Sequence, residues 1–169
     1  MQPTLALTLN LLLRGGTLLV LVLIAAALWR DHPRTLAARL GAVFALGVAA
    51  STLASAPGFS AAPTAWHAVI SALASGSMFV FWLFTRALFD DAFEPSAWHA
   101  GVWGLLAGVG ALQCAVFVPQ HSPTADVVGV FLGVMPVVWA ILAIAHSIAT
   151  WREDLVERRR RFRTVVVAA

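Results

Sequence analysis

The sequence has little charge for its length and lacks two polar residue types altogether. Only 11% of its 169 residues are charged, tyrosine is absent, and all eleven basic residues are arginine because lysine is absent too. A soluble domain carries about 25% charged residues. This shortage stands against 60% hydrophobic residues and a mean hydropathy of +0.86, which excludes a disordered chain, a coiled coil and an ordinary soluble enzyme. The composition leaves a polytopic membrane protein.

The sequence also lacks the residues that most enzymes need. Its single cysteine, Cys114, cannot form an intrachain disulfide and has the character of a small core residue. No Gly-x-Ser-x-Gly turn, phosphate-binding glycine loop or Cys-x-x-Cys pair occurs. We therefore expect neither catalytic activity nor a bound cofactor.

What the sequence has instead is a series of long apolar runs. Each is close to the ~20 residues that a helix needs to cross a bilayer, and lipid leaves the backbone no alternative to a helix. The runs cover residues 9–29, 35–55, 66–89, 98–118 and 127–151. The sequence predicts an all-α, polytopic transmembrane bundle of about five spans within residues 1–151.

Charge predicts the orientation of this bundle. Ten of the eleven arginines fall in or beside the breaks after spans one, three and five, and only Arg14 belongs to the opposite side. By the positive-inside rule the N-terminus is outside and the arginine-rich breaks are cytoplasmic. Tryptophan independently marks the span ends, where amphipathic rings prefer to lie. These residues are Trp29, Trp66, Trp98 and Trp151.

The stretch after span five is the most charged part of the chain. Its six arginines and three acids give residues 152–163 a net charge of +3. Because the stretch directly follows a span, membrane topology and anionic lipid explain it better than direct binding of nucleic acid. Residues 164–169 are apolar but too short to cross a bilayer. They are either a tail or, as we favour, the start of a sixth span of a longer protein.

A few polar residues are candidates for receiving or passing on a signal. Arg14 either reaches up to the lipid headgroups or faces inward, where it would bind an anion or pair with Asp126. His67 is a third input candidate. On the cytoplasmic side, Asp90 lies within ion-pairing reach of Arg86. The output candidates are Arg86, Asp90, Asp91, Arg158, Arg159, Arg160, Arg161 and Arg163.

Histidine raises a second possibility. His99 and His146 fall near the cytoplasmic ends of spans four and five, where paired imidazoles could hold a haem. His99 adjoins an interfacial tryptophan, whereas haem ligands in bundles lie deeper. Hydrogen-bonded interfacial histidines are therefore favoured.

Small residues and one proline govern the expected packing. Gly104 with Gly108, and Gly129 with Gly133, have the spacing that lets helix backbones approach closely. Packing within the bundle is expected, and a homodimer is the alternative. Pro136 removes a backbone donor inside span five and predicts a kink there.

Two motifs resemble a known family. One is the run Phe-Trp-Leu-Phe-Thr-Arg-Ala-Leu-Phe-Asp-Asp over residues 81–91, followed by Trp98 and His99. The other is the segment Trp-Arg-Glu-Asp-Leu-Val-Glu-Arg-Arg-Arg-Arg-Phe-Arg over residues 151–163. Together they resemble the membrane region of certain bacterial AraC-type regulators, in which a helix-turn-helix DNA-binding domain follows the membrane part. The resemblance implies a bacterial inner-membrane protein whose parent regulates transcription, while the DNA-binding domain is absent from this chain.

The sequence thus predicts a membrane-embedded sensory module that binds no nucleic acid directly. A signal would change helix packing and pass through span five to the arginine-rich segment. The alternatives are a haem-binding electron-transfer protein, or a structural or assembly protein whose bundle packs against a partner.

Overall fold

The chain folds as a bundle of helices. A computed structural model describes the backbone of residues 2–59, 65–90, 93–120 and 123–167, with the side chains of residues 5–149 in those ranges. The helices are α1 (Gln2–Asp31), α2 (Leu36–Ala54), α3 (Ala65–Ser75), α4 (Ser77–Phe89), α5 (Ala97–Leu112), a π-helix (Gln113–Phe117) and α6 (Pro123–Val167). The described residues are almost all helical and contain no strand.

The five expected spans are confirmed as five helices long and apolar enough to cross a membrane. They cover Leu5–Asp31, Leu36–Ala54, Ala65–Phe89, Ala97–Phe117 and Pro123–Ala149. Most observed ends lie within two residues of the expected ones. The larger differences are at residues 5 and 123, where the candidate spans begin four residues before the predicted ones, and α1 itself begins at Gln2.

Small residues place α2 at the centre of the bundle. Its buried residues are all alanine or glycine, so neighbouring backbones can approach closely on both sides. On one side Ala42 and Ala45 form an apolar cluster with Ala25 of α1, which Leu21 and Leu28 border. On the other side α2 packs against both α3 and α4.

The third span is divided at Gly76, and its two halves have different neighbours. The half before the break, α3, packs on α5, whereas α4 packs on α6. A Cβ on Gly76 would lie 2.6 Å from the indole nitrogen of Trp103, so only glycine lets α5 approach here. The break therefore lets one span support both of the following ones.

The cluster that contains the largest fully buried side chain, Phe79, is centred on α4. Phe79, Leu83, Phe93 and Leu106 form this cluster, and Trp139 of α6 packs against them. The two outermost helices are far less buried: only 6% of the most apolar window of α1, and 6% of that of α6, is enclosed. Their exposed surface is mostly leucine, isoleucine and valine, as a lipid-facing surface requires.

Beyond the bundle, α6 does not end where the fifth apolar run ends. It continues as one helix through the arginine-rich segment to Val167. The described backbone therefore has no loop between the fifth span and residues 164–167, although the charge pattern is typical of a loop between two spans.

The glycine pairs of spans four and five do not bring helices together within the chain, which corrects the expected packing. A Cβ on Gly104, Gly108 or Gly133 would meet nothing within 4 Å, and one on Gly129 would only reach an ordinary contact with Gln113. Close approach occurs instead at other glycines. A Cβ on Gly47 would lie 2.7 Å from the Cβ of Ser77, and one on Gly110 would overlap the hydroxyl of Ser75.

Candidate functional site

Polar side chains of α1 and α2 meet at the end of the bundle that the charge pattern places outside, here called the outer end. We call them the outer polar strip, and they line an open cavity of about 450 Å³. The strip consists of Asn10, Arg14, Thr17, Ser51, Thr52 and Ser55. Such a strip between two apolar helices is the first candidate site, because polar groups within spans usually serve a function.

Arg14 organises the outer polar strip. Its Nε donates to Oδ1 of Asn10 at 2.8 Å, and its Nη1 donates to the Thr52 carbonyl at 2.6 Å and to the Ser55 hydroxyl at 2.8 Å. Thr52 lies in the last turn of α2, where carbonyls lack intrahelical partners and the helix dipole is negative. A cation is therefore well placed here, and Arg14 links α1 to α2.

Of the alternatives for Arg14, the structure shows an inward-facing side chain that donates to the end of α2 rather than to Asp126. Asp126 lies exposed in the first turn of α6, where its negative charge favours the positive end of that helix dipole. The start of α6 is fastened by a different residue: Nε2 of Gln113 donates to the Ala125 carbonyl at 2.9 Å.

His67 also lies apart from Arg14. It is buried at the start of α3, where the Trp66 ring stacks on it at 3.8 Å and the Phe59 ring meets it edge-on at 4.5 Å. The three input candidates thus occupy three different places: the α1–α2 interface, an aromatic cluster on α3 and the exposed start of α6.

At the opposite end, here called the inner end, a cation lies over two aromatic rings. The guanidinium carbon of Arg86 lies 5.3 Å from the Trp82 ring centre and 4.7 Å from that of Phe93. Trp82 also contacts His99 and Trp139, at 6.1 and 5.5 Å between ring centres. We call these five residues the inner aromatic cage. It joins α4, the α4–α5 connection, α5 and α6.

Arg86 and Asp90 meet through the backbone rather than through an ion pair. The Asp90 N–H donates to the Arg86 carbonyl at 2.9 Å, and among the described side chains the ion pair joins Arg30 to Asp31. Nε of Arg86 is buried without a hydrogen-bond partner in the described part of the chain. The Arg86 cation is therefore held mainly by aromatic faces.

His99 has one satisfied and one unsatisfied ring nitrogen. The Ser96 N–H donates to Nδ1 at 3.0 Å, which closes a capping box at the start of α5, and the Ser96 hydroxyl lies 3.0 Å from the same nitrogen. Nε2 is buried and has no partner within the described ranges, and the side chain is only 5% exposed. The Trp98 ring stacks on the imidazole at 3.9 Å.

The other cytoplasmic candidates are only partly described. Asp91 lies outside the described residues. The side chains of Arg158, Arg159, Arg160, Arg161 and Arg163 also lie outside them, although their backbone belongs to α6. His146 lies on α6 and His99 on α5, and each has a buried Nε2.

Comparison with known proteins gives no relative: no family model, curated protein or solved structure matches the chain. The resemblance to AraC-type regulators therefore stays a prediction.

Sequence reasoning located Arg14, Arg86 and His99 but missed their surroundings. Thr52 and Ser55 could not be predicted as partners of Arg14, because no local sequence pattern shows which residues of α1 and α2 face each other. Trp82 had a usable signal, since it lies four residues before Arg86 on the same helix face. Phe93 and Trp139 come from other elements and carry no such signal.

Proposed function

We propose that the protein is an integral membrane sensory module whose output leaves the bundle through α6. The observation that carries this proposal is the continuity of α6 from Pro123 to Val167. One continuous helix thereby joins the core of the bundle, at Trp139, to the arginine-rich segment. A helix can transmit a shift over its length because its backbone bonds resist local bending.

Contacts at the inner end of the bundle would hold α6 in one of a few positions. Trp139 of α6 packs edge-on against Phe79 at 4.7 Å and lies against Trp82 of the inner aromatic cage. Ala143, one turn further along, is only 1% exposed. A rotation or slide of α6 would have to break these contacts, so α6 has discrete positions rather than a continuous range.

The outer polar strip would receive the signal. Arg14 links α1 to the end of α2 through its bonds to Thr52 and Ser55, and α2 in turn packs on α4. An anionic or oxygen-rich ligand that competes with Thr52 for Arg14 would change how α1 sits on α2. The change reaches α6 through α4, provided that the ligand binds the two arrangements with different affinity.

In this proposed role, the output of the protein is on the cytoplasmic side. With ten of the eleven arginines assigned to one side, the N-terminus is outside and the arginine-rich segment lies on anionic lipid of a bacterial inner membrane. The resemblance to AraC-type regulators would make the final output transcriptional. The proposed role involves no catalysis.

The proposal is tested by asking whether the two ends are coupled. The native cysteine is removed by Cys114→Ser, and new cysteines are introduced at Leu88, at the exposed end of α4, and at Val156. Spin labels are attached to both, and the distance between them is measured in vesicles of phosphatidylethanolamine and phosphatidylglycerol. Arg14→Gln is expected to shift or broaden this distance distribution. Val20→Ala is the control, because Val20 is an exposed residue of α1 that does not line the cavity of the outer polar strip.

An unchanged distribution in Arg14→Gln would contradict a sensory role and favour a structural or assembly protein. A shift in both variants would show general loosening of α1, which contradicts the specific coupling through Arg14.

A further inference from the structure

The outer polar strip has accessible hydrogen-bond donors that no group of the protein accepts from. Arg14 uses its Nε on Asn10 and its Nη1 on Thr52 and Ser55. Within the described residues its Nη2 reaches no acceptor, and this nitrogen is accessible from outside the protein rather than buried. Asn10 accepts from Arg14 with Oδ1, so its exposed amide nitrogen, Nδ2, offers two further donors. The strip therefore presents free N–H groups of a cation and of a neighbouring amide.

The positive charge of the outer polar strip also lacks a counter-ion. No residue that lines its cavity is a carboxylate, and the ion pair of the described side chains joins Arg30 to Asp31 at the other end of α1. Asp126, the acid assigned to the outer side, lies on α6, whereas the partners of Arg14 are neutral oxygens. Charged groups within membrane spans are usually paired, so the strip calls for an anion from outside the chain.

The depth of Arg14 identifies the chemistry of that anion. From Asp31 at the inner end, α1 rises about 26 Å to Arg14, at 1.5 Å per residue. The hydrocarbon layer of a bilayer is about 30 Å thick, so the Arg14 side chain lies where hydrocarbon gives way to the outer headgroups. Phosphate groups are the anions concentrated at this level. A phosphate also suits arginine, because its oxygens match the fork of guanidinium N–H groups.

We propose that the outer polar strip is a binding site for a phosphate oxyanion, whose oxygens accept from Nη2 of Arg14 and from Nδ2 of Asn10. The phosphodiester of a phospholipid and phosphate in solution share this chemistry, and the open cavity admits both. The inference rests on the proposed sensory role, because it names the ligand of the input site. A phosphate held at Nη2 would draw the guanidinium away from the Thr52 carbonyl, and this is the competition that the sensory role requires.

Asn10 is the single asparagine of the chain, which makes its side-chain amide a selective probe of the strip. The full chain is labelled with ¹⁵N-asparagine and studied by NMR in maltoside micelles, which contain no phosphate. It is titrated with dioleoyl phosphatidylglycerol, with dioleoylglycerol and with inorganic phosphate. Phosphatidylglycerol is expected to shift the Nδ2–H signals saturably, whereas dioleoylglycerol, which lacks the phosphate, should leave them in place. A saturable shift with inorganic phosphate as well would show that the site also takes free phosphate, and its absence would identify the lipid as the source.

Two variants separate the site from general charge attraction. Arg14→Gln should weaken phosphatidylglycerol binding about ten-fold or more, as expected for the loss of a hydrogen bond to a charged group. Arg34→Gln removes the same charge from the α1–α2 connection at the inner end and should change the affinity by less than about two-fold. Equal weakening by both variants would overturn the proposal. So would equal shifts by the two lipids, or no shift with any phosphate, in the wild type, and these results do not depend on the folding of a variant.

The phosphate site and the sensory role can fail separately. A phosphate-dependent shift of the Asn10 signals, together with an unchanged Leu88–Val156 distance in Arg14→Gln, would support the site and contradict the sensory role. A changed Leu88–Val156 distance without any phosphate-dependent shift would contradict the site and leave the sensory role standing.

Discussion

Arg14 reaches across the α1–α2 interface to the Thr52 carbonyl, with 2.6 Å between its Nη1 and the oxygen. The Ser55 hydroxyl donates to the same carbonyl at 3.2 Å and accepts from Arg14 at 2.8 Å. One side chain of α1 thus completes the C-terminus of α2. This relationship makes a membrane-embedded arginine a structural link as well as a candidate receptor for an anion.

Arg14→Gln is expected to lower the free energy of unfolding by about 1.5–3 kcal/mol, the value typical of hydrogen bonds to a charged group. The Thr52 carbonyl loses its charged donor, and glutamine is too short to replace it. Unfolding of the full chain in mixed micelles with increasing dodecyl sulfate measures the loss. Thr17→Ala should change the same quantity by less than about 0.5 kcal/mol, and an equal loss in both variants would contradict the role of Arg14.

Gly110→Ala should destabilise the bundle by about 1–3 kcal/mol, because the new methyl group would overlap the Ser75 hydroxyl and lie 2.8 Å from the Ser71 carbonyl. Gly104→Ala, on the same helix, is a matched control. A Cβ there meets nothing within 4 Å, so the higher helix propensity of alanine should stabilise by up to about 1 kcal/mol. The same unfolding measurement compares them. If Gly104→Ala were instead the damaging change, the close contact between α3 and α5 would be assigned to the wrong glycine.

The sequence predicts the spans of this protein well, because length and hydropathy act locally along each helix. It does not predict which glycines lie in close contacts between helices. Gly104 and Gly108 have the expected spacing, yet they face open space, whereas Gly47 lies against Ser77 without any such motif. The deciding quantity is the neighbour across the interface, and that depends on how α2, α3 and α5 are arranged.

The same limit applies to the candidate sites. Arg14 is conspicuous in an apolar run, but its partners on and beside α2 lie 38 and 41 residues away, and the more obvious acid, Asp126, lies in the first turn of another helix. Arg86 has an acid at helical spacing, but its side chain lies between aromatic rings instead. Charge pairs suggested by spacing compete with contacts from other elements, which a single sequence does not reveal.

The inner aromatic cage predicts a measurable coupling between Arg86 and Phe93. A double-mutant cycle with Arg86→Met and Phe93→Leu should give an interaction free energy of about 0.5–2 kcal/mol, as expected for a partly desolvated cation–π contact. Methionine keeps much of the apolar length of arginine and removes the charge. The matched cycle pairs Arg86→Met with Leu106→Ala, a core residue outside the cage, and should give a value near zero. A coupling of similar size in both cycles would show general loosening of the core rather than a cation–π contact.

Pro136 predicts where α6 can move. Proline removes the amide that would bond to the Leu132 carbonyl, so the helix is weakest one turn before the contacts of Trp139 with the core. Spin labels at Val130 and Ile144, both exposed, span this point. If α6 bends there, Pro136→Ala should narrow the distance distribution between the labels and lengthen its mean, because an unbroken hydrogen-bond ladder straightens and stiffens the helix. Val137→Ala, which keeps the proline, should leave the distribution unchanged.

The coupling experiment between Leu88 and Val156 then separates a static kink from a working joint. In a working joint, Pro136→Ala abolishes the response to Arg14→Gln. In a static kink, the response persists while the Val130–Ile144 distance changes.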